Sequence, residues 1–157
     1  MITDDAEDFR GALAPGALIG LDLGTKTIGV AVSDVMQQVA SPLETIRRKK
    51  FGIDAAAITA IITNRQISGI VLGLPRNMDG SEGPRAQSTR AFARNFATIA
   101  ALPILFWDER LSTIAAERAL LEADTSRQRR AEVVDHVAAG YILQGALDRL
   151  AHIRAAS

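Results

Sequence analysis

Asp22 sits in an otherwise apolar run, residues 17–23, where an ionised carboxylate is costly to bury unless a partner or a metal ion compensates it. Two further acidic positions stand where elements should begin or end. Asp108 and Glu109 close the apolar run 103–107, and Asp135 opens a helical pattern. Alternation along a strand turns Asp108 and Glu109 to opposite faces unless the strand ends between them, so only one of the two is expected to face Asp22. If three such carboxylates converge, like charges about 4 Å apart repel by roughly 4 kcal/mol per pair at an effective dielectric near 20. A divalent cation relieves that repulsion. Oxygen ligands without His or Cys favour Mg²⁺ or Mn²⁺ over Zn²⁺, and such ions can activate water in phosphodiester hydrolysis. Taken singly, Glu109 and Asp135 are the kind of acids that usually stay solvated. The chemistry rests on their convergence, which spacing alone does not show.

Composition bounds the alternatives. The chain has 157 residues, 48% of them hydrophobic, enough for one well-packed domain and too few for two substantial ones. Eighteen Lys and Arg balance eighteen Asp and Glu, so contact with nucleic acid must come from local basic clusters rather than a globally basic surface. The absence of cysteine excludes disulfides, thiolate metal sites and Cys nucleophiles, and fits a reducing cytoplasm. No stretch approaches the roughly 20 apolar residues that span a bilayer, so no membrane partner is expected.

The elements that must position the acids follow from hydrophobic patterning. Residues 1–16 end in Ala14-Pro15-Gly16 and show no sustained period, which predicts a flexible extension. Residues 17–23 and 27–33 are β-like runs separated by Gly24-Thr25-Lys26, which suits an antiparallel hairpin. A third short strand is expected around 39–46, a helix over 53–62, and a buried strand over 70–74. Pro84 fits the first turn of a helix running to about Ala100. A strand over 103–107 and helices over 114–121 and 133–150 complete the pattern, leaving 151–157 as a C-terminal tail. The expected architecture is α/β, a mixed sheet with helices packed on it, in one domain over 17–150.

Four segments occur in order along residues 17–150: Gly20-Leu21-Asp22-Leu23-Gly24-Thr25-Lys26-Thr27-Ile28-Gly29-Val30-Ala31; Leu72-Gly73-Leu74-Pro75 with Asn77-Met78-Asp79-Gly80-Ser81-Glu82-Gly83; Asp108-Glu109-Arg110-Leu111-Ser112-Thr113; and Val134-Asp135 with Ala138-Ala139. Together they resemble the motif set of the YqgF/RuvX family. The resemblance implies a ribonuclease H-like fold related to Holliday junction resolvases, and a nuclease role in maturing the 5′ end of pre-16S rRNA. It also implies Asp22, Glu109 and Asp135 as the catalytic and metal-holding acids, choosing Glu109 over Asp108. Arg76 departs from the pattern, because many relatives carry an apolar residue after Leu-Pro.

Around the acids lie candidate contacts for a nucleic-acid strand. The turn containing Thr25 and Lys26 could offer N–H groups, hydroxyls and an ammonium to a phosphate, or serve simply as a hairpin turn; it is not a P-loop, whose spacing differs. The glycine-containing loop 77–83, flanked by Arg76 and Arg85, could favour an anion at a helix N-terminus, or Ser81 and Pro84 could be no more than helix-entry signals. Arg127, Arg129 and Arg130 precede Asp135 and could hold a backbone, or form a solvated helix edge. Arg47-Arg48-Lys49-Lys50 is a similar run, less well placed in the sequence. Arg110 could bind phosphate or pair with an acid. Few aromatic residues are available for base stacking, so recognition should depend on backbone and shape. The reading is a cytoplasmic, Mg²⁺- or Mn²⁺-dependent nuclease acting on RNA, pre-16S rRNA by resemblance. Resolution of branched DNA and a non-catalytic RNA-binding or transcription-associated factor are the alternatives, and a monomer and a homodimer both stay open.

Overall fold

The computed structural model describes residues 1–111 and 127–157, with side chains described from 136 onward in the second segment. The chain enters the sheet at once: strand β1 (Ile2–Thr3) precedes helix α1 (Ala6–Ala12). Asp5 caps α1 by accepting the N–H of Glu7 at 2.7 Å and of Asp8 at 3.3 Å. Phe9 is fully buried. The expected flexible extension over 1–16 is therefore corrected. Two residues of parallel pairing, Ile2 with Ile104 and Thr3 with Leu105, and one aromatic anchor tie down a segment whose acidic composition conceals both.

Strands β2 (Ala17–Leu23), β3 (Thr27–Ser33) and β4 (Ala40–Arg47) form an antiparallel meander. Helix α2 (Phe51–Arg65) returns the chain to β5 (Ile67–Leu74), and Gln66 closes the helix in the left-handed region at φ 52°. Helix α3 (Pro84–Ala97) starts with Pro at its first turn and leads to β6 (Ile104–Asp108). A single 3₁₀ turn (Glu109–Leu111) follows, and helix α4 (Arg127–Ala156) ends the fold. The helix expected over 114–121 falls outside the described residues. The tail expected over 151–157 is corrected, since α4 runs to Ala156 with Leu150 fully buried and Arg154 in its last turn facing Gln37.

The sheet order is β1-β6-β5-β2-β3-β4, with β2, β5, β6 and β1 mutually parallel and β3 antiparallel to both its neighbours, β2 and β4. Alternation divides the core in two. Ala17, Ile19, Leu21 and Leu23 point toward α2 and α3, where they meet Ile58, Phe92 and Phe96. Leu18, Val71 and Leu105 point the other way, onto Ala138, Ala139, Ile142 and Leu143 of α4. Gly20 lets α4 come this close, because a Cβ there would lie 2.7 Å from Leu143 Cβ. Among the described residues no helix is long and apolar enough to cross a membrane.

Candidate active site

Asp22 follows Leu18 and Gly20 on the α4 face of β2, and it is only 2% exposed. Its cross-strand partner on β3 is Gly29. On the other side Leu21 pairs with Leu72, so the next position along β5 is Gly73. Glycines thus stand on both neighbouring strands beside the acid. Gly73 pairs in turn with Trp107 on β6. A Cβ on Gly73 would collide with Ile142 and would lie 3.0 Å from Glu109 Oε1, an oxygen that is itself buried. Gly73 thus lets the Glu109 carboxylate and Ile142 pack on the α4 face of β5, the strand next to Asp22.

The strand ends where the acids required it to. β6 stops at Asp108 and the backbone turns into the 3₁₀ turn at Glu109, so the two neighbours separate. Asp108 takes Arg110 as its partner: the guanidinium approaches at 2.7 Å through Nη2 and 3.1 Å through Nε, and the Arg110 N–H donates at 3.0 Å. The guanidinium holds the Asp108 carboxyl below its ordinary value of 3.8. Of the two fates open to Arg110, the structure chooses pairing with an acid.

Asp135 belongs to α4, four positions before the buried Ala139, and its side chain lies outside the described residues. The same is true of Arg127, Arg129 and Arg130 in the opening turn of that helix. Among the described residues no group of three or more His, Cys, Asp or Glu is gathered to hold a metal ion. His136 is a packing residue whose Nδ1 lies 2.9 Å from Thr45 Oγ1 on β4.

The glycine-containing loop after β5 spends its polar groups on itself. Asn77 donates to Ser81 Oγ at 2.9 Å and the Ser81 hydroxyl donates to Asp79 at 2.6 Å, which keeps the Asp79 carboxyl below its ordinary value. Ser81 is not the helix cap; Gly83 is, without a capping side chain. Arg76 stands 3.7 Å from both Asp4 and Glu82. Glu82 is also gripped by Arg90 at 2.6 Å, and Arg90 reaches Asp4 at 3.2 Å and covers the Phe106 ring at 4.7 Å.

Thr25, Lys26 and Arg85 gather differently. Arg85 donates to the Leu23 carbonyl at 3.2 Å, beside the turn that holds Thr25 and Lys26. The run 47–50, poorly placed in the sequence, is brought to the same spot. Antiparallel pairing sets Arg47 opposite Thr27, so Arg48 must fall beside Lys26, and its N–H donates to the Lys26 carbonyl at 2.8 Å. The signal that would have found it is the register of the β3–β4 hairpin.

A family model described as RuvX, Holliday junction resolvase, matches residues 16–149. The chain belongs to the RuvX family. Among RuvX relatives, a protein of Ruegeria pomeroyi named "Putative pre-16S rRNA nuclease" is 71% identical over 154 residues, spanning 98% of this chain and all of the relative. One of Rhodobacter capsulatus with the same name is 70% identical over 154 residues, spanning 98% and 97%. The fold is ribonuclease H-like, as in two solved resolvases. Thermus thermophilus RuvC in complex with Holliday junction substrate superposes at a TM-score of 0.55 with 12% identity, over 87% of this chain and 96% of that one. The yeast mitochondrial Holliday junction resolvase Ydc2 superposes at 0.50 with 12% identity, over 96% and 87%.

Proposed function

We propose that this RuvX-family chain is a divalent-metal-dependent nuclease of the cytoplasm that hydrolyses RNA phosphodiesters in maturing the 5′ end of pre-16S rRNA. The observation that carries the reading is a carboxylate, Asp22, 2% exposed in a wholly buried strand, with the buried Oε1 of Glu109 packed at Gly73 on the neighbouring strand. A purely structural acid buried in such a strand is costly. The names borne by relatives about 70% identical over nearly the whole chain support RNA as the substrate.

The donor set fits a hard cation. Two carboxylates beside Gly73, with no Cys in the chain and His136 turned to Thr45, suit Mg²⁺ or Mn²⁺, and Asp135 on the covering helix is the third ligand of the proposal. When bound there, such a cation supplies Lewis-acid stabilisation of charge on phosphate oxygens and lowers the pKa of an attacking water. The chain's own residues do the positioning. Gly73 lets Glu109 and Ile142 pack closely on the strand next to Asp22, and Lys26 and Thr25 stand at the turn directly after β2. Arg76 and Arg110, tied to carboxylates, shape the loops around the site more than they bind the strand.

The test is Mn²⁺-dependent cleavage of a pre-16S 5′ leader RNA, run beside a four-way DNA junction, with the wild type and Asp22→Asn. The expected result is RNA-selective cleavage that drops at least about 100-fold in Asp22→Asn while its melting temperature stays at or above that of the wild type. Junction-selective cleavage would transfer the activity to branched DNA, the substrate that the family description names. Equal activity in wild type and variant would remove Asp22 from the chemistry.

A further inference from the structure

On the side of β2 opposite Asp22, an open cavity of about 540 Å³ lies between the β2–β3 turn, the end of β4 and the start of α3. Its polar lining is Thr25, Arg48, Lys49, Arg85, Ser88 and Thr89, with no carboxylate; the buried Thr89 hydroxyl donates to the Arg85 carbonyl at 3.0 Å, which leaves three cations and the hydroxyls of Thr25 and Ser88. The two guanidinium groups are built in rather than floating. Arg48 donates through Nη1 to the Gly24 carbonyl at 2.6 Å, and Arg85 donates through Nη2 to the carbonyl of the preceding residue, Leu23, at 3.2 Å. Each arginine arrives from a different element and is fixed on a neighbouring main-chain oxygen, which leaves the other N–H groups of both forks for a ligand. No carboxylate among the described residues pairs with Arg48, Lys49 or Arg85. Asp54 takes the Lys49 main-chain N–H at 2.9 Å and does not line the cavity. α3 adds its positive end, since no side chain caps its first turn.

Positive charge concentrated on adjacent carbonyls, with hydroxyl donors and no acid, is a site for an anion with several oxygens. We infer that this cavity binds a backbone phosphate of the substrate strand, next to the one presented to the carboxylates. Leu23 and Gly24, which line it, directly follow Asp22 in β2, so a strand passing over the end of β2 leaves one site and enters the other. The inference rests on the nuclease reading and extends it: it makes the run 47–50 a part of the substrate path, and it assigns the carboxylate side to chemistry and the cation side to grip.

The experiment measures RNA binding by fluorescence anisotropy as a function of salt, in an Asp22→Asn background so that the RNA stays intact. Added to it singly are Arg48→Gln, Arg85→Gln and Lys49→Gln, with Arg94→Gln, an exposed cation in the last turn of α3, as the charge-matched control. Each cavity substitution is expected to reduce the salt slope by about 0.7, the value for one phosphate contact on a single strand, and to weaken binding roughly three- to tenfold at moderate salt. Arg94→Gln should leave the slope unchanged. Lys49 anchors no carbonyl through its side chain, so it reads the charge alone even if the arginine variants disturb the turn. In the cleaving protein the same changes should raise KM and leave kcat nearly constant. Unchanged slopes in a protein that binds and cleaves RNA overturn the cavity and spare the nuclease reading. Failure of the parent protein to bind RNA at all overturns both. If the variants lose affinity for inorganic phosphate or a mononucleotide, with the RNA slope unchanged, the cavity serves a free phosphate and the strand contact is refuted.

Discussion

Two groups of arginines stand at the same end of the sheet with opposite electrostatics. Near β1 and β6, Arg76, Arg90 and Arg110 are each matched by a carboxylate: Asp4, Glu82 or Asp108. Beside the β2–β3 turn, Arg48 and Arg85 are held, among the described residues, by carbonyl oxygens alone. In the sequence the two groups look alike, as basic residues flanking glycine-containing turns. The difference is one of partner. A guanidinium neutralised by an acid has little left to offer a phosphate, whereas one anchored on a carbonyl keeps its full charge. The paired group is structural and the carbonyl-anchored group is the one that can meet a ligand.

The comparison breaks most sharply if an acid is supplied to the second group. Ser88→Asp places a carboxylate on the cavity wall and early in α3, where it should stabilise the fold by a few tenths of a kcal/mol and weaken RNA binding by roughly tenfold through repulsion of the phosphate. Anisotropy and a thermal melt on one preparation read both effects, and unchanged binding would show that the two groups do not differ. The next largest effect belongs to the paired side. Arg90→Ala removes the cover over Phe106 and the links to Glu82 and Asp4, and should cost about 1 kcal/mol once solvent screening of the ion pairs is allowed for, with no change in the RNA salt slope. A changed slope would move Arg90 into the binding surface.

The smallest effect is in pH. Arg110 holds Asp108 below its ordinary value of 3.8, and Arg90 holds Glu82 below 4.5, so both carboxyls are more acidic in the folded chain than in the unfolded one. Between the folded and unfolded values the unfolded state binds more protons. Their contribution to stability is complete above the ordinary carboxylate range and fades as pH falls through the depressed values. The melting temperature of the Glu82→Gln, Asp108→Asn double variant should therefore depend less on pH below about 4.5 than that of the wild type. Parallel curves would deny the pairs any part in acid stability.

Much of this was legible in the chain because it is local. The β2–β3 hairpin, the buried β5 and the Pro84 start of α3 follow from alternation and turn chemistry within a few residues, and the charge at Asp22 is conspicuous against its apolar neighbours. What was hidden is non-local. Two residues of β1 find their partners a hundred positions away, and Phe9 gives no period of its own. Arg48 reaches the turn at Gly24 only through the register of β4 on β3. Proximity of Arg110 to Asp108 in sequence does not decide where a long side chain turns, toward a phosphate or toward an acid; the 3₁₀ turn decides it. The burial of Glu109 beside β5 depends on Gly73, a residue with no chemistry, whose value appears only when Glu109 and Ile142 are seen to crowd it.

Trp107 stands two residues before Glu109, and its indole lies so near Gly145 on α4 that a Cβ there would come within 2.9 Å of the ring. It is the chain's one tryptophan, and its ring nitrogen is buried. The protein thus carries an intrinsic fluorophore wedged between the strand that delivers Glu109 and the helix that carries Asp135. Any shift of α4 against β6 changes the surroundings of that indole, so titration of the unlabelled protein with metal or RNA can be followed by emission wavelength alone.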